Sequence, residues 1–496
     1  MKFLTVVFMV MIIGNSVSAQ STFQNEYGDS FDHGNFKSIV SDSSGFLMAG
    51  AKLLLIPNTV PIAVKTDLEG RILWQRNFGD STSRFNLASC TKRTNGTYML
   101  TAFDQILQNS HLYNLDASGN IIFQKQIVNF LVLNFFEVNP NEIVFAGYLP
   151  SGFSIIAVDS SLHTIWAKTY GVSESASAYR ISLSNDGGFI ILYSLPSTGF
   201  DLMTKIDSAG NLVWVKRFSN INYLQGFMTE TTNGDLFLVS TWDSISSSGV
   251  RIKKLDSAGN LIWSEDLSGN YNHEIFSSSI STPEGGCLIL GYVRNVNTTF
   301  ETLVIKVDST GNIVWSQTLG GFSDMSNPVQ IIKTTDSAYA LLCNTFGRGH
   351  ILFKMDSLGF AGCPGTPYPM TVQPFATSIT DDSLSTDTTS IQFLNISVPF
   401  DTTSLTMNQI CFANTVDEIN SHSLTIFPSP FKDKITVQDT KRDGQIKVYD
   451  LAGRIFIDRK TLAGETELNT SFLSKGFYVI RYDEQGRTYF AKAIKY

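Results

Sequence analysis

The chain of 496 residues has little charge: 16% of it is Asp, Glu, Lys or Arg, the formal net charge is -8, and no basic run offsets it. Nucleic acid and anionic membrane surfaces both call for a basic face, so neither is an expected partner. An apolar stripe of 3.6-residue period is missing as well, which argues against a helical protein. Beyond residue 19 no apolar stretch reaches the roughly 20 residues of a membrane span, so no transmembrane segment is expected in the mature chain. The five cysteines and six histidines show neither a Cys-x-x-Cys nor a paired-histidine spacing, and no metal is expected. A Gly-x-Ser-x-Gly elbow, a phosphate-binding glycine loop and a His-Glu-x-x-His helix are all absent. No catalytic residue and no cofactor are therefore assigned.

What the chain does have is Ser, Thr and Asn in quantity and 12% aromatic residues, a composition of short strands and polar turns. It opens with Lys2, an apolar core over residues 3–13, and small residues at Val17-Ser18-Ala19. Residues 1–19 read as a signal peptide, with the mature chain starting at Gln20 and exported.

One stretch recurs through most of the remainder. It is Asp207, Gly210 and Trp214, repeated as Asp67, Gly70 and Trp74, as Asp116 and Gly119 with Phe123, and as Asp159 and Trp166. Further copies are Asp256, Gly259 and Trp263; Asp308, Gly311 and Trp315; and Asp356 with Gly359. The seven copies step by 49, 43, 48, 49, 52 and 48 residues, a period of solenoids, arrays and propellers. A second landmark, a Gly-rich turn such as Asp186-Gly187-Gly188 or Asn233-Gly234, also appears seven times. Aromatic and β-branched runs between such turns give four strands per repeat, the content of a propeller blade. The last copy, at Asp356, lacks its Trp strand, while Phe23 to Gly28 has that strand's spacing with no hairpin before it. The N-terminal strand is thus expected to complete the last blade and close the ring over residues 20–363. The repeated Asp reads as an Asx-turn cap, the Gly as a positive-φ position, and the Trp as packing between blades. A calcium loop would need several oxygen ligands where this hairpin offers one carboxylate.

This repeat resembles those of secreted bacterial β-propellers over about residues 23–360. It differs from the tryptophan-docking motif of quinoprotein dehydrogenases, where Asp and Gly stand four apart rather than three.

Residues 364–415 break the pattern: they hold no Lys or Arg, and Ser plus Thr fill 17 of 52 positions. A Thr/Ser-rich linker or small β appendage beside the propeller is expected, closed by a disulfide between the bracketing Cys363 and Cys411. Cys90, Cys287 and Cys343 sit in apolar strands and read as buried thiols. Asp-Ser and Asp-Thr pairs such as Asp382-Ser383 are candidate O-glycan acceptors.

Residues 416–496 turn basic, with 13 Lys and Arg against 11 Asp and Glu. Several short strands in about 80 residues suggest a small β-sandwich. Three motifs in order, Phe427-Pro428-Ser429-Pro430, Tyr449-Asp450-Leu-Ala-Gly453-Arg454 and Leu473-Ser-Lys-Gly476-Phe-Tyr478, resemble the type IX secretion-system C-terminal sorting domain. The resemblance implies recognition by that machinery, passage across a Gram-negative outer membrane, and release or attachment at the cell surface. An ordinary fibronectin-like module is the alternative.

The expected fold is thus all-β: a seven-bladed β-propeller followed by a small β-sandwich C-terminal domain. Two functions stand open. One is a non-enzymatic adhesion or capture propeller for an extracellular glycan or protein. The other is a secreted propeller enzyme, a polysaccharide lyase or glycosidase, whose carboxylates converge from separate blades. Asp32-His33 and His273-Glu274, in corresponding loop segments of different blades, are candidate ligand contacts, with solvated loop residues as the plainer reading.

Overall fold

The computed structural model describes residues 21–28, 35–55, 58–79, 83–171, 177–195, 200–218, 224–243, 248–269, 274–294, 300–320, 326–345, 349–363, 365–401, 405–413, 424–428, 431–440, 443–450, 454–474, 476–484 and 487–495. The signal-peptide expectation for residues 1–19 lies outside the described residues. The chain divides into two compact units, residues 1–415 and 416–496.

Each sequence repeat folds as one antiparallel meander. In blade 4 the strands are Ser177–Leu183, Phe189–Leu195, Phe200–Ile206 and Leu212–Phe218, paired in that order. Blades 1, 2, 3, 5 and 6 begin with Asn35–Asp42, Phe85–Lys92, Leu131–Asn139, Leu224–Glu230 and Glu274–Ser281 and repeat the arrangement. Blade 7 holds Ser326–Lys333, Tyr339–Thr345 and Gly349–Met355, and its fourth strand is the N-terminal Thr22–Gly28, with Phe23 opposite Lys354. First strands contact one another around the ring, and that of blade 7 contacts that of blade 1. The ring of seven is closed, and no blade is left with an open edge between the chain's first and last strands.

The recurring Asp, Gly and Trp each have a physical task in this ring. The Asp207 carboxylate accepts the backbone N–H groups of Ala209 at 2.9 Å and Asn211 at 2.7 Å, and the Asn211 side-chain amide at 2.9 Å. Gly210 takes φ 75°, and a Cβ there would lie 2.7 Å from the Trp166 ring of the preceding blade. The Trp side chain then reaches the next blade's hairpin: Trp74 Nε1 donates to the Ala117 carbonyl at 2.9 Å and Trp214 Nε1 to the Ser257 carbonyl at 3.2 Å. Cap, glycine and tryptophan therefore form one rivet between neighbouring blades.

Where a glycine is replaced, the backbone keeps the left-handed conformation at a cost. Ser337 stands in the first-to-second-strand turn of blade 7 at φ 64°, exposed. A Ser337→Gly variant is expected to gain about 1 kcal/mol of stability, read as a rise in the urea midpoint at unchanged slope.

Seven apolar cores fill the gaps between adjacent blades. That between blades 3 and 4, for example, joins Val144 and Ile155 to Phe189, Ile191 and Tyr193.

Residues 364–415 depart from the expected appendage. The described residues among them form a belt that circles the outside of the ring and gives every blade a fifth strand. Thr366–Pro367 pairs with the fourth strand of blade 6, Thr371–Pro374 with blade 5, Ile379–Asp381 with blade 4 and Ser385–Thr388 with blade 3. Phe393–Asn395 follows on blade 2, Phe400–Asp401 on blade 1 and Thr406–Ala413 on blade 7. The course runs backwards around the ring and makes one turn. Its apolar residues plug the rim of successive inter-blade cores: Tyr368, Ile379, Leu384, Phe393, Val398, Leu405 and Ile410 each pack against a different one. A Cys363–Cys411 disulfide joins the two ends of the belt. Cys90, Cys287 and Cys343 are free and buried.

In the C-terminal unit, Thr425–Phe427, Lys434–Thr440 and Gly464–Asn469 form one sheet. Ile455–Thr461, Gly444–Asp450, Gly476–Glu484 and Arg487–Lys495 form a second, in that order. Both contribute to a single core that includes Ile435, Val437, Ile446, Val448, Ile480 and Tyr482. This is a small β-sandwich.

Candidate functional site: the central cavity

All seven first strands carry a β-bulge at the corresponding place. Their pairing with the second strand slips between Phe36 and Ser38, Asn86 and Ala88, Val132 and Asn134, and Ala178 and Arg180. It slips likewise between Leu224 and Phe227, Phe276 and Ser278, and Pro328 and Gln330. A bulge leaves a residue out of the ladder and re-aims its side chain. Lys37, Leu133, Ser277 and Val329, the extra residues of four blades, line a central cavity of about 670 Å³. That volume is in the range of small-molecule sites, ~300–1,000 Å³.

The lining is polar and carries one sign of charge. Hydroxyls and amides come from residues such as Ser38, Ser89, Asn134, Ser182, Asn327 and Gln330. Lys37 from blade 1 and Arg180 from blade 4 are the cations, both exposed. The Arg180 guanidinium lies 4.3 Å from the centre of the Phe227 ring, within cation–π range. Among the described lining residues there is no Asp, Glu or His. Cys90 also lines the cavity, but burial pushes its thiol up to about 12, against a weaker opposing hydrogen bond to Ser38. It is held as the unreactive thiol rather than the thiolate.

Residues singled out by the repeat lie elsewhere. In a four-stranded meander the first-to-second and third-to-fourth turns share one end, so the Gly-rich turns and the Asp hairpins occupy one face of the ring. The variable loops occupy the other. None of Asp67, Asp116, Asp159, Asp207, Asp256, Asp308 or Asp356, nor their partner Gly and Trp residues, lines the cavity, except that Trp74 borders a shallow rim pocket with Ala117 and Ser118. Asp32, His33 and His273 lie outside the described residues. Glu274 is not a solvated loop residue: it begins a strand, is fully buried, and accepts the Tyr368 hydroxyl of the belt at 2.5 Å and the Gly269 N–H at 2.9 Å. Burial pushes its carboxyl up to about 7.

Two features escaped the sequence reading. A lysine two residues before the hairpin Asp is buried and paired with an acid in the Gly-rich turn of the same blade: Lys65 with Asp42 at 3.4 Å, Lys205 with Asp186 at 2.8 Å, Lys254 with Asp235 at 3.1 Å and Lys354 with Asp336 at 2.8 Å. Lys306 and Glu284 approach to 3.7 Å in the same way. The signal was present, since Lys recurs at that offset in five copies. The second feature is an apolar rim. The residue before each Trp or Phe of the fourth strands, Leu73, Ile122, Ile165, Val213, Ile262 and Val314, is 51% to 57% exposed.

His350 is buried between blades 7 and 1, donating from Nδ1 to Asn344 Oδ1 at 2.8 Å beside the Phe36 ring. Burial lowers its pKa to about 3. The neutral ring is thus favoured in the folded state, while the unfolded chain takes up a proton near the ordinary 6.5. Stability from this group is full above pH 6.5 and declines as pH falls towards 3. About 2 kcal/mol is lost between pH 6.5 and 5. Urea titrations across that window should show the decline in the wild type and a shallower one in His350→Gln.

In the C-terminal sandwich, the Tyr449-Asp450 hairpin repeats the propeller's cap. Asp450 accepts the Arg454 backbone N–H at 2.9 Å and its guanidinium at 2.7 Å, as Asp67 accepts Arg71. Tyr478 packs between Phe431 and Phe456 and donates to the Ser474 carbonyl at 2.8 Å. Gly476 begins the strand, and Pro428 follows Phe427 at the domain's opening. Pro430 and Gly453 lie outside the described residues.

Residues 425–496 match the profile of the secretion system C-terminal sorting domain. The C-terminal sandwich is that sorting domain. The chain is therefore a propeller protein secreted by the type IX system, handled through its sorting domain. A second profile, arylsulfotransferase, matches residues 175–343, from blade 4 into blade 7. No curated protein sequence matches the chain. Among solved structures, Sqt1 of Chaetomium thermophilum is similar at 9% identity and TM-score 0.44, covering 68% of this chain and 98% of that one. PorZ of Porphyromonas gingivalis, described as an essential surface component of the type IX secretion system, is similar at 8% identity and TM-score 0.25. That match covers 96% of this chain and all of PorZ (100%). A prolyl endopeptidase is similar at 11% identity and TM-score 0.41, covering 72% of this chain and 50% of that one.

Proposed function

We propose that this secreted propeller is a binding protein that takes an extracellular glycan or protein at its central cavity and serves adhesion or capture. The sorting domain directs it outward and is removed or anchored there, which leaves the ring released or held at the outer cell surface. The observation that carries the reading is the cavity itself. Seven bulged strands border a space of small-molecule size, and six of them bring hydroxyl, amide or cationic side chains to it among the described lining residues. Such a lining supplies hydrogen bonds to a hydroxyl-rich ligand, and among the described lining residues there is no carboxylate or imidazole. A glycosidase needs two carboxylates about 5–9.5 Å apart, and these would have to come from residues other than the described lining.

The arylsulfotransferase match over residues 175–343 favours a second reading, sulfuryl transfer, with Arg180 placed to hold the sulfate. The test is a glycan and protein array probed with the secreted chain, run beside turnover assays on polysaccharides and aryl sulfates. Binding without turnover, abolished when Ser277→Trp fills the cavity, is the expected result. Turnover of any polysaccharide supports the lyase or glycosidase alternative, and turnover of an aryl sulfate supports the transferase; either sinks the binding-only reading.

A further inference from the structure

We infer that the hairpin face of the ring is the contact surface of a homodimer, in which two copies of this chain stack ring on ring about a two-fold axis. The inference is independent of the cavity reading and starts from a second set of bulges. In blades 1 to 6 the pairing of the third and fourth strands slips directly before the repeated Trp or Phe: Lys65 pairs with Trp74 but Thr66 with Ile72, and so in each blade. The residues left over are Leu73, Ile122, Ile165, Val213, Ile262 and Val314, the exposed aliphatics of the rim. A bulge turns its extra side chain out of the ladder, here towards solvent.

Bulge geometry does not itself ask for an aliphatic. The first-strand bulges carry Lys37, Leu133, Ser277 and Val329, of mixed chemistry, whereas every fourth-strand bulge of blades 1 to 6 carries Leu, Ile or Val. Each stands six residues after its hairpin Asp, at the end of the ring where the hairpins lie. The belt leaves them uncovered, since it pairs with the fourth strands only from Asn77, Lys125, Lys168, Lys216, Glu265 and Gln317 onward. Scattered single apolar residues are ordinary, but one repeated at the same place in six blades forms a surface with the ring's own period. Blade 7, whose fourth strand is the N-terminal one, presents Leu358 of its hairpin instead, also exposed.

A partner that meets every point of such a surface has the same period, as a second ring does. Charge sets the register. Two residues past the Trp or Phe, Arg76, Lys125 and Lys168 of blades 1 to 3 donate to carbonyl and amide oxygens and form no ion pair among the described residues. Lys216 of blade 4 is neutralised by Asp381 of the belt at 2.7 Å. Blades 5 to 7 present Asp256, Glu265, Asp308 and Asp356, none in an ion pair among the described residues. A two-fold axis over blade 4 lays blade 1 on blade 7 of the second copy, blade 2 on blade 6 and blade 3 on blade 5, so every unpaired cation meets an acid-bearing blade. The same rotation sets Ile122 opposite Val314, Ile165 opposite Ile262, Leu73 opposite Leu358, and Val213 opposite its own copy.

The test is sedimentation equilibrium of the full secreted chain from ~1 to ~100 µM, where a concentration-dependent dimer is expected. Val213→Asp sets two carboxylates against each other at the axis and should leave the chain monomeric. Lys168→Glu and Glu265→Lys should each weaken the dimer ~10-fold or more, and the two in one chain should restore it, because the reversed charges then face each other. A variant that acted by damaging the fold would not be rescued in this way, and melting temperatures read where the wild type is monomeric should agree. Flotation with vesicles of phosphatidylcholine and phosphatidylglycerol, the flat apolar alternative, should leave the chain behind. A monomer at every concentration, a dimer indifferent to Val213→Asp and to both charge reversals, or flotation with the vesicles overturns the inference.

Discussion

Replacing Cys363 and Cys411 together with serine is expected to lower the unfolding free energy by about 4 kcal/mol, the chain-entropy value for a loop of this length. The two residues are 48 apart in sequence, and between them the chain makes a full turn around the ring. With the clasp closed, release of any belt strand leaves its neighbours threaded. With the clasp open, strands of two or three residues at Thr366–Pro367, Ile379–Asp381 or Phe400–Asp401 hold by a few ladder bonds and one apolar plug each. Hydrogen exchange should therefore rise along the whole belt in the double variant, while the first three strands of each blade stay protected. A change in stability below about 1 kcal/mol, or exchange confined to the two ends, would show that the belt strands are held blade by blade and that the clasp adds nothing.

The second large effect is expected at Asp42. Its carboxylate accepts the Tyr98 hydroxyl at 2.5 Å and lies 3.4 Å from Lys65 and 3.2 Å from Lys92, so one acid joins blades 1 and 2. Burial works to raise its pKa, but the hydrogen bonds of Ser44 and Tyr98 and the charge of Lys65 outweigh it and hold the group well below the ordinary carboxylate range. Its contribution is present above the unfolded pKa near 4 and is lost as pH falls through the folded value. Asp42→Ala leaves the Lys65 ammonium buried without its carboxylate, a loss of about 3–5 kcal/mol. Adding Lys65→Met to that variant should recover much of the loss, because it removes the uncompensated charge. A fall of less than about 1 kcal/mol in the single variant would mean that Lys65 is accommodated without the acid.

The ring was legible because its landmarks are local. Asp207-x-x-Gly210 and Asp186-Gly187-Gly188 are turn chemistry within a few residues, and a fixed spacing exposes them. Closure was legible from the orphan strand at Phe23, whose spacing matched the strand missing after Asp356. The belt was not, because a strand of two to four residues cannot display a period of two. Its register is set by the blade it meets rather than by its own sequence. Alternation in residues 390–400 reads as one strand, yet the belt divides there between Phe393–Asn395 on blade 2 and Phe400–Asp401 on blade 1. The cavity was hidden for a related reason. A bulge at Lys37 or Ser277 inserts one residue into a strand, and in sequence this looks like noise in the alternation. Its meaning appears only when seven such slips meet at one depth. Pairs such as Lys354 and Asp336 were half visible, since the lysine recurs but its partner sits in a different turn.

The central claim is that ligand enters the ring at the bulged strands. The measurement that tests it most directly is a crystal structure of the secreted chain soaked with the tightest-binding glycan. The account predicts ligand density in the central cavity, in contact with Ser277 and Asn134 and flanked by Lys37 and Arg180. Density on the apolar outer rim, at the Asp hairpins or along the belt, with the cavity filled only by solvent, would contradict it.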